Sequence, residues 1–178
     1  MIDGARELRR ALEAGIAVEE VFVCEARCRT AEALAVLPLV AEQNPQARFD
    51  VPSGVLEKLA FGERDEGLVA VAVTPPVGLD NIPLVKDAAL VVLENVEKPG
   101  NVGAIARTAD AAGMSGLIVT GTGATDLYNP NAVRASLGTL FALPVAAAPA
   151  NEVTDWLKAA GVAVFAARVE GSLPYREA

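Results

Sequence analysis

Apolar and polar positions alternate between the spacing of amphipathic helices and the short apolar runs that are typical of buried strands. In the first half of the chain, this pattern predicts helices over residues 5–13, 30–42 and 52–59 and strands over residues 21–24, 48–51 and 67–73. We expect Thr30 to cap the second helix, because a threonine hydroxyl can accept a hydrogen bond from a first-turn backbone N–H. Gly15 is the expected stop of the first helix.

The second half of the chain repeats the alternation. Strands are predicted over residues 88–93, 117–119, 143–145 and 162–166, and helices over 101–112, 130–137 and 152–160. Residues 88–93 show no polar alternation, which is typical of a strand buried on both faces of a parallel sheet. The repeated strand–helix–strand order predicts an α/β fold with a parallel sheet and right-handed crossovers.

A proline-rich segment separates the two halves. Residues 74–83 contain three prolines and have no periodicity, which is typical of a linker. We therefore predict a first domain over residues 1–75, a linker over 76–86 and a second domain over 87–178.

Charge and composition limit the reactions and ligands that the chain can support. A net charge of −8, with 15 lysines and arginines, argues against strong non-specific binding of nucleic acid, so any RNA-binding surface must be local. The absence of histidine excludes Ser–His and Cys–His nucleophiles as ordinarily built. Proton transfer must then use carboxylates, Tyr, Lys, Ser or water. Cys24 and Cys28 have no second pair to complete a zinc site, and no bound metal is expected.

The apolar runs and the N-terminal pattern indicate where the protein is located. The longest apolar runs are too short to span a bilayer, and a charged helical pattern begins directly after residue 4. Neither a signal peptide nor a membrane partner is expected, and a cytoplasmic location is the default.

Residues 94–108 are the first segment with candidate chemistry. They follow a predicted strand and enter a helix, the place where ligands bind in open α/β sheets. Asn101 could cap this helix, and Gly103, Arg107 and Asp110 would share one face. The helix start and Arg107 together would suit a phosphate. Alternatively, Arg107 could form an exposed ion pair with Asp110, and Gly103 could allow close packing of the helix on a strand.

Residues 129–145 form the second segment, with Arg134 and Ser136 on a short helix that leads to a strand. Alone, it is an ordinary helix. Together, the two segments resemble the signature motifs of the SpoU/TrmH family in the SPOUT superfamily. The first motif is matched by Asn101, Gly103, Ala104, Arg107, Thr108 and Gly113, and the second by Arg134, Ala135, Ser136, Gly138, Leu143, Pro144 and Val145.

The N-terminal half adds to this resemblance. Residues 2–15 and 59–67 are similar to the start and end of the small domain, related to ribosomal protein L30e, that precedes the catalytic domain in this family. The resemblance therefore implies an α/β protein with an L30e-like substrate-binding domain followed by a SPOUT domain. The chain ends at Ala178, as residues 171–175 approach the third motif, so we expect the knot region to be incomplete and the native protein to be longer.

The resemblance also implies an activity. Enzymes of this family transfer a methyl group from S-adenosylmethionine to a ribose 2′-hydroxyl of ribosomal or transfer RNA, and they act as homodimers. By resemblance, Arg107 and Asn101 are catalytic, whereas Arg134, Ser136 and Glu94 bind the substrate. The cofactor residues belong to the third motif and are not assigned. A guanidinium stays protonated, so Arg107 is expected to bind and orient the ribose phosphate group rather than act as a base.

Two other functions remain open at this stage. A non-catalytic RNA-binding or assembly factor could share the fold, and the acidic charge and absent third motif would favour it if the chain had its native length. A nucleotide-binding Rossmann enzyme is suggested only by Gly121-Thr122-Gly123, which lacks the third glycine and the immediate helix of that fingerprint.

Overall fold

The structure is a computed structural model that describes residues 1–61, 66–121, 126–167 and 177. Its first unit is built on a four-stranded sheet with the strand order β1-β4-β2-β3. Strand β2 pairs antiparallel with β4 and parallel with β3, and β1 pairs antiparallel with β4. The strands are β1 (Ile2–Asp3), β2 (Val18–Val23), β3 (Arg48–Asp50) and β4 (Leu68–Ala72).

Three helices cover this first sheet: α1 (Ala5–Glu13), α2 (Ala31–Gln43) and α3 (Ser53–Leu59). On one face, α1 and α2 form a core that includes Leu8, Val21 and Val36. On the other face, α3 buries Leu56 against the sheet. The predicted cap of α2 is confirmed, because the Thr30 hydroxyl accepts a hydrogen bond from the Ala33 N–H at 3.0 Å.

The second unit is a three-stranded sheet, β5 (Leu90–Glu94), β6 (Gly116–Thr120) and β7 (Val145–Ala148), in which β6 is central and all strands are parallel. The predicted parallel α/β arrangement is confirmed. Helices α4 (Pro99–Ala111) and α5 (Pro130–Ala135) pack on one face, and α6 (Ala150–Ala159) packs on the other. Every residue of β6 is buried.

Two details of the predicted second sheet are wrong. Strand β5 buries only Leu93, and Val92 is 39% exposed, because β5 lies at the edge of the sheet and not in its centre. Residues 162–166 form no strand with any of the described residues, and Val164 and Phe165 are 69% and 72% exposed. An apolar run becomes a strand only where its backbone N–H and C=O groups find partners.

The segment between the two sheets is partly docked onto the second. The Ala147 N–H donates to the Val77 carbonyl oxygen at 2.8 Å, and Ile82 is buried against β6, β7 and α6. Residues 83–87, by contrast, are exposed. The domain limits drawn from the sequence stay a prediction, and this packing indicates that only the later part of the predicted linker is free. In the described part of the chain, no helix is long and apolar enough to cross a membrane.

Candidate active site and the junction between the units

The carboxyl ends of the three parallel strands form one edge of the second sheet. The Asn95 N–H donates to the Thr120 carbonyl oxygen at 2.9 Å, and the Thr120 hydroxyl donates to the Ala148 carbonyl oxygen at 2.8 Å. Glu94 is the last residue of β5 and is exposed at this edge. The edge is where a parallel sheet is expected to bind a ligand, and it places Glu94 beside the start of α4.

Helix α4 starts two residues earlier than the sequence indicated. Lys98 is the N-cap residue and Pro99 is the first helical residue, a position that proline favours because the N–H there has no helical partner. The prediction that Asn101 caps the helix is therefore wrong. Asn101 is the third helical residue, and its exposed side chain lies in the first turn, close to the carboxyl edge of the sheet.

Arg107 is exposed on α4, and its guanidinium makes no hydrogen bond or ion pair with any residue that the structure describes. The alternative ion pair with Asp110 is thus not formed. Arg107 lies eight residues beyond Pro99, about 12 Å along the helix axis at the usual rise. Helical side chains lean in general towards the helix N terminus, which for α4 is the end beside Glu94.

Gly103 is needed for the contact between two helices. A Cβ at this position would overlap the Ala132 carbonyl oxygen and lie 2.7 Å from the Ala135 Cβ and 2.8 Å from the Ser136 nitrogen. The glycine therefore lets α4 approach α5 and does not leave open space beside Arg107. The close packing that the sequence suggested for Gly103 is observed, but against a helix and not a strand.

Ser136 is fully buried at the end of α5. Its hydroxyl donates to the Val133 carbonyl oxygen at 2.8 Å and accepts from the Gly138 N–H at 3.2 Å. These bonds hold a turn in which Leu137 and Gly138 both have positive φ, 54° and 80°. The assignment of Ser136 to substrate binding stays a prediction, and this geometry supports an indirect role in shaping the turn.

Arg134 reaches from the second unit to the first. The half-buried guanidinium donates from Nη1 to the carbonyl oxygen of Phe61, in the segment that follows α3. Four residues later, a Cβ at Gly138 would lie 3.0 Å from the Glu7 Cα, so the turn packs directly on α1. The second motif therefore lies at the junction between the two units, which its spacing in the sequence did not reveal.

Tyr128 is the one described tyrosine. Burial raises its pKa to about 12, and its ring stacks on Phe141 with the ring centroids 5.6 Å apart. Its hydroxyl is therefore neutral near pH 7 and contributes to packing, so it is not available as a general base.

Among the described residues, no three His, Cys, Asp or Glu side chains come together as ligands for a metal ion, and the metal-free reaction stays a prediction.

Comparison with known proteins decides the family. A profile of the SpoU rRNA Methylase family matches residues 88–178, which is more than half of the chain and includes both motifs. The chain belongs to this family. The resemblance seen in the sequence is confirmed, and the match gives no support to the Rossmann alternative, whose fingerprint was already incomplete in the sequence.

Relatives in the family extend the likeness to the first unit. A 23S rRNA (adenosine(1067)-2′-O)-methyltransferase of Streptomyces azureus is 28% identical over 99% of this chain. A 23S rRNA (uridine(2479)-2′-O)-methyltransferase of Streptomyces viridochromogenes is 44% identical over 57% of it. An rRNA methyltransferase structure from Sinorhizobium meliloti superposes on 99% of the chain with a TM-score of 0.83 and 29% identity.

The structure of the SpoU methyltransferase AviRb from Streptomyces viridochromogenes, in complex with AdoMet, covers 88% of the chain with a TM-score of 0.75 and 34% identity. The SpoU-family chain described here is shorter than these relatives. It spans 64% of the Streptomyces azureus enzyme, 36% of the Streptomyces viridochromogenes enzyme and 58% of the AviRb chain. Residues 168–176, where the sequence approaches the third motif, lie outside the described residues.

Proposed function

We propose that this protein methylates a ribose 2′-hydroxyl of ribosomal RNA with S-adenosylmethionine as the methyl donor. The observation that carries the proposal is the exposed Arg107 on α4, which pairs with none of the described residues and lies within the motif that places the chain in the SpoU family. Relatives named as 23S rRNA 2′-O-methyltransferases favour ribosomal over transfer RNA as the substrate class.

The roles of the residues follow from their positions. When bound, S-adenosylmethionine supplies a methyl group on a sulfonium, a transfer that needs no covalent enzyme intermediate. Arg107 binds the phosphate next to the target ribose and holds the 2′-oxygen in line, because its permanent positive charge stabilises negative charge that develops nearby. Asn101, in the first turn of α4, offers an amide to the same nucleotide from the side of the sheet edge.

The described residues suit the substrate side of this reaction better than the cofactor side. Asn101, Arg107 and Glu94 are all exposed, Glu94 at the carboxyl edge and the other two on α4, where a nucleotide can reach them. No described side chain is assigned to the cofactor, because the family places those contacts in the third motif. The cofactor contacts of this chain therefore stay a prediction. They are expected from residues outside the described ranges.

Substitution of Arg107 tests the proposal. The complete gene product is assayed with S-adenosylmethionine carrying a labelled methyl group and with unmodified ribosomal RNA. We expect Arg107→Ala to leave folding intact and to lower kcat/KM by about a hundredfold, the usual loss for one preorganised charge-stabilising donor. Arg107→Lys should rescue poorly, because lysine lacks the planar fork.

A matched control is Lys158→Ala, which removes another exposed cation from the helix on the opposite face of the sheet. Its activity should stay near that of the parent protein. Near-normal activity of a folded Arg107→Ala variant would remove Arg107 from the site. A parent protein that binds ribosomal RNA but transfers no methyl group would favour the non-catalytic assembly factor.

We further propose that residues 1–75 form an L30e-like RNA-binding domain and that the protein is a homodimer through its second unit. Both proposals rest on the family resemblance. The exposed apolar surface of the edge strand β5 adds support for the dimer. Light scattering on the complete protein should give twice the mass of one chain at micromolar concentration, and a monomer mass would contradict the dimer. The cytoplasmic location also stays a prediction.

A further inference from the structure

Phe61 is held from both units through its backbone. Its N–H donates to the Asp3 carboxylate at 2.6 Å, and its carbonyl oxygen accepts from the Arg134 guanidinium. Asp3 is 3% exposed and lies in β1 of the first unit, whereas Arg134 lies in α5 of the second. We refer to these three residues as the junction latch.

We propose that the junction latch fixes the first unit against α5, so that Asp3 and Arg134 are positioning residues for the RNA substrate. The inference rests on the proposed function, and it gives Arg134 a role different from direct substrate binding. Its guanidinium carries the contact, and Asp3 acts through Phe61 by keeping that backbone in place.

Of the two hydrogen bonds of the latch, the one to Asp3 is partly buried and the one from Arg134 is exposed. Each joins a charged side chain to a backbone group, and such bonds contribute more than bonds between neutral groups. Asp3 is itself fixed, because β1 pairs with β4 in the register Asp3 to Val69. Glu66 lies five residues beyond Phe61 and accepts from the Ala5 N–H at 2.7 Å, so the chain is attached to the start of α1 on that side as well.

A second contact lies beside the latch and limits its movement. Gly138, with φ of 80°, packs against the backbone of α1 at Glu7 and against the side chain of Arg10. Phe141, three residues further on, packs against the core of the first unit. Because Ser136 holds the turn between Arg134 and Gly138, the turn and the latch form one rigid junction.

The latch also connects the first unit to the candidate catalytic residue. Arg134 is on α5, α5 contacts α4 through the close approach at Gly103, and α4 carries Arg107. RNA that is bound by the first unit is thereby placed at a fixed distance from Arg107. A small displacement of a reacting group is costly for the rate, so a loose junction should weaken methylation of substrates that contact both units.

A double-mutant cycle tests the latch in the complete gene product. Arg134→Ala, Asp3→Ala and the double variant are assayed on a long ribosomal RNA fragment and on a short oligonucleotide that holds only the target region. We expect each single variant to raise KM for the long fragment about tenfold, the effect of losing one charge-assisted hydrogen bond. The KM for the short oligonucleotide and the affinity for S-adenosylmethionine should be unchanged.

The double variant should be no worse than either single variant, because both remove the same junction. Additive effects, or an Asp3→Ala variant with the parent's kinetics, would overturn the proposal and leave Arg134 as a direct RNA ligand. A parent protein without methyl transfer would instead count against the proposed function, so the two failures are distinguishable.

Conservative variants keep the test decisive if an alanine variant does not fold. Arg134→Lys can still donate to one carbonyl oxygen, so it should restore most of the KM, whereas a forked contact to RNA would not tolerate lysine. Asp3→Asn keeps an oxygen acceptor for the Phe61 N–H but loses the charge, so its KM for the long fragment should lie between those of the parent protein and Asp3→Ala. Failure of Arg134→Lys to restore the KM would contradict the latch.

Discussion

Single residues of the two motifs have different physical roles, although the sequence presents them as one signature. Arg107 and Asn101 are exposed and available to a ligand, whereas Gly103 and Ser136 are buried and shape the protein itself. Exposed residues can contact a substrate, whereas buried residues maintain the structure that holds the exposed ones in place. Substitution of Gly103 tests the buried group.

Gly103→Ala should destabilise the protein, because the added methyl group overlaps the backbone of α5. We expect a loss of about 1–3 kcal/mol in the free energy of unfolding, the usual cost of overpacking. Gly100→Ala is the matched control in the same helix, since a Cβ there meets no atom within 4 Å. It should be neutral or stabilising by up to about 1 kcal/mol, as alanine favours helix. Urea unfolding of both variants measures the difference, and equal stabilities would contradict the close contact.

Tyr128 should make stability depend on alkaline pH. Burial raises its pKa from 10.0 to about 12, so above pH 10 the unfolded chain loses its proton while the folded chain keeps it. The contribution is fully present below pH 10 and is lost as pH rises towards 12. Unfolding of the parent and of Tyr128→Phe is compared from pH 8 to 12. The parent should lose stability relative to the variant, and parallel curves would show that the tyrosine is not buried.

Whole elements were predicted well where local signals were strong. The first helix has the predicted limits, and α2 begins after its predicted cap. Strand β5 was placed correctly in the chain but wrongly in the sheet, because an apolar run does not tell an edge strand from a central one. Residues 162–166 were predicted as a strand on the same kind of evidence, and residues 162–165 instead line a groove beside β5.

The cap of α2 gives a prediction at this scale. Thr30→Ala should lower the free energy of unfolding by about 1 kcal/mol, because the Ala33 N–H loses its acceptor. Thr154→Ala is the matched control, since the Thr154 hydroxyl is exposed and, among the described residues, bonds only the Ala150 carbonyl oxygen in its own helix. Thermal unfolding should show a lower Tm for Thr30→Ala than for Thr154→Ala. A reversed order would mean that the cap does not stabilise α2.

At the scale of the whole molecule, the connection between the units combines a docked part with an exposed part. Val77 and Ile82 belong to the packing of the second unit, and exposed residues 83–87 follow them. The junction latch adds a second connection that is distant in the sequence. Both connections determine how RNA on one unit would face Arg107 on the other.

Brief digestion of the native protein by trypsin should cut after Lys86 before it cuts after Lys58. Both lysines are exposed, but Lys58 lies in α3 and Lys86 in a segment without regular structure, and proteases need an extended backbone. Mass spectrometry should find the fragment that ends at Lys86 before the fragment that ends at Lys58. Lys86→Gln should remove this early fragment, and its persistence in that variant would contradict an exposed connection at residue 86.

The sequence by itself determined the class of fold, the order of most elements and the family, because these depend on local periodicity, caps and two motifs of fixed spacing. It also indicated Arg107, whose role depends on its charge and its place after a strand. The tertiary structure decided which strand is central, that Gly103 faces α5, and that Arg134 binds the Phe61 carbonyl oxygen across the junction. These contacts join residues up to 73 positions apart. A local sequence pattern does not show which distant backbone group a side chain will bind.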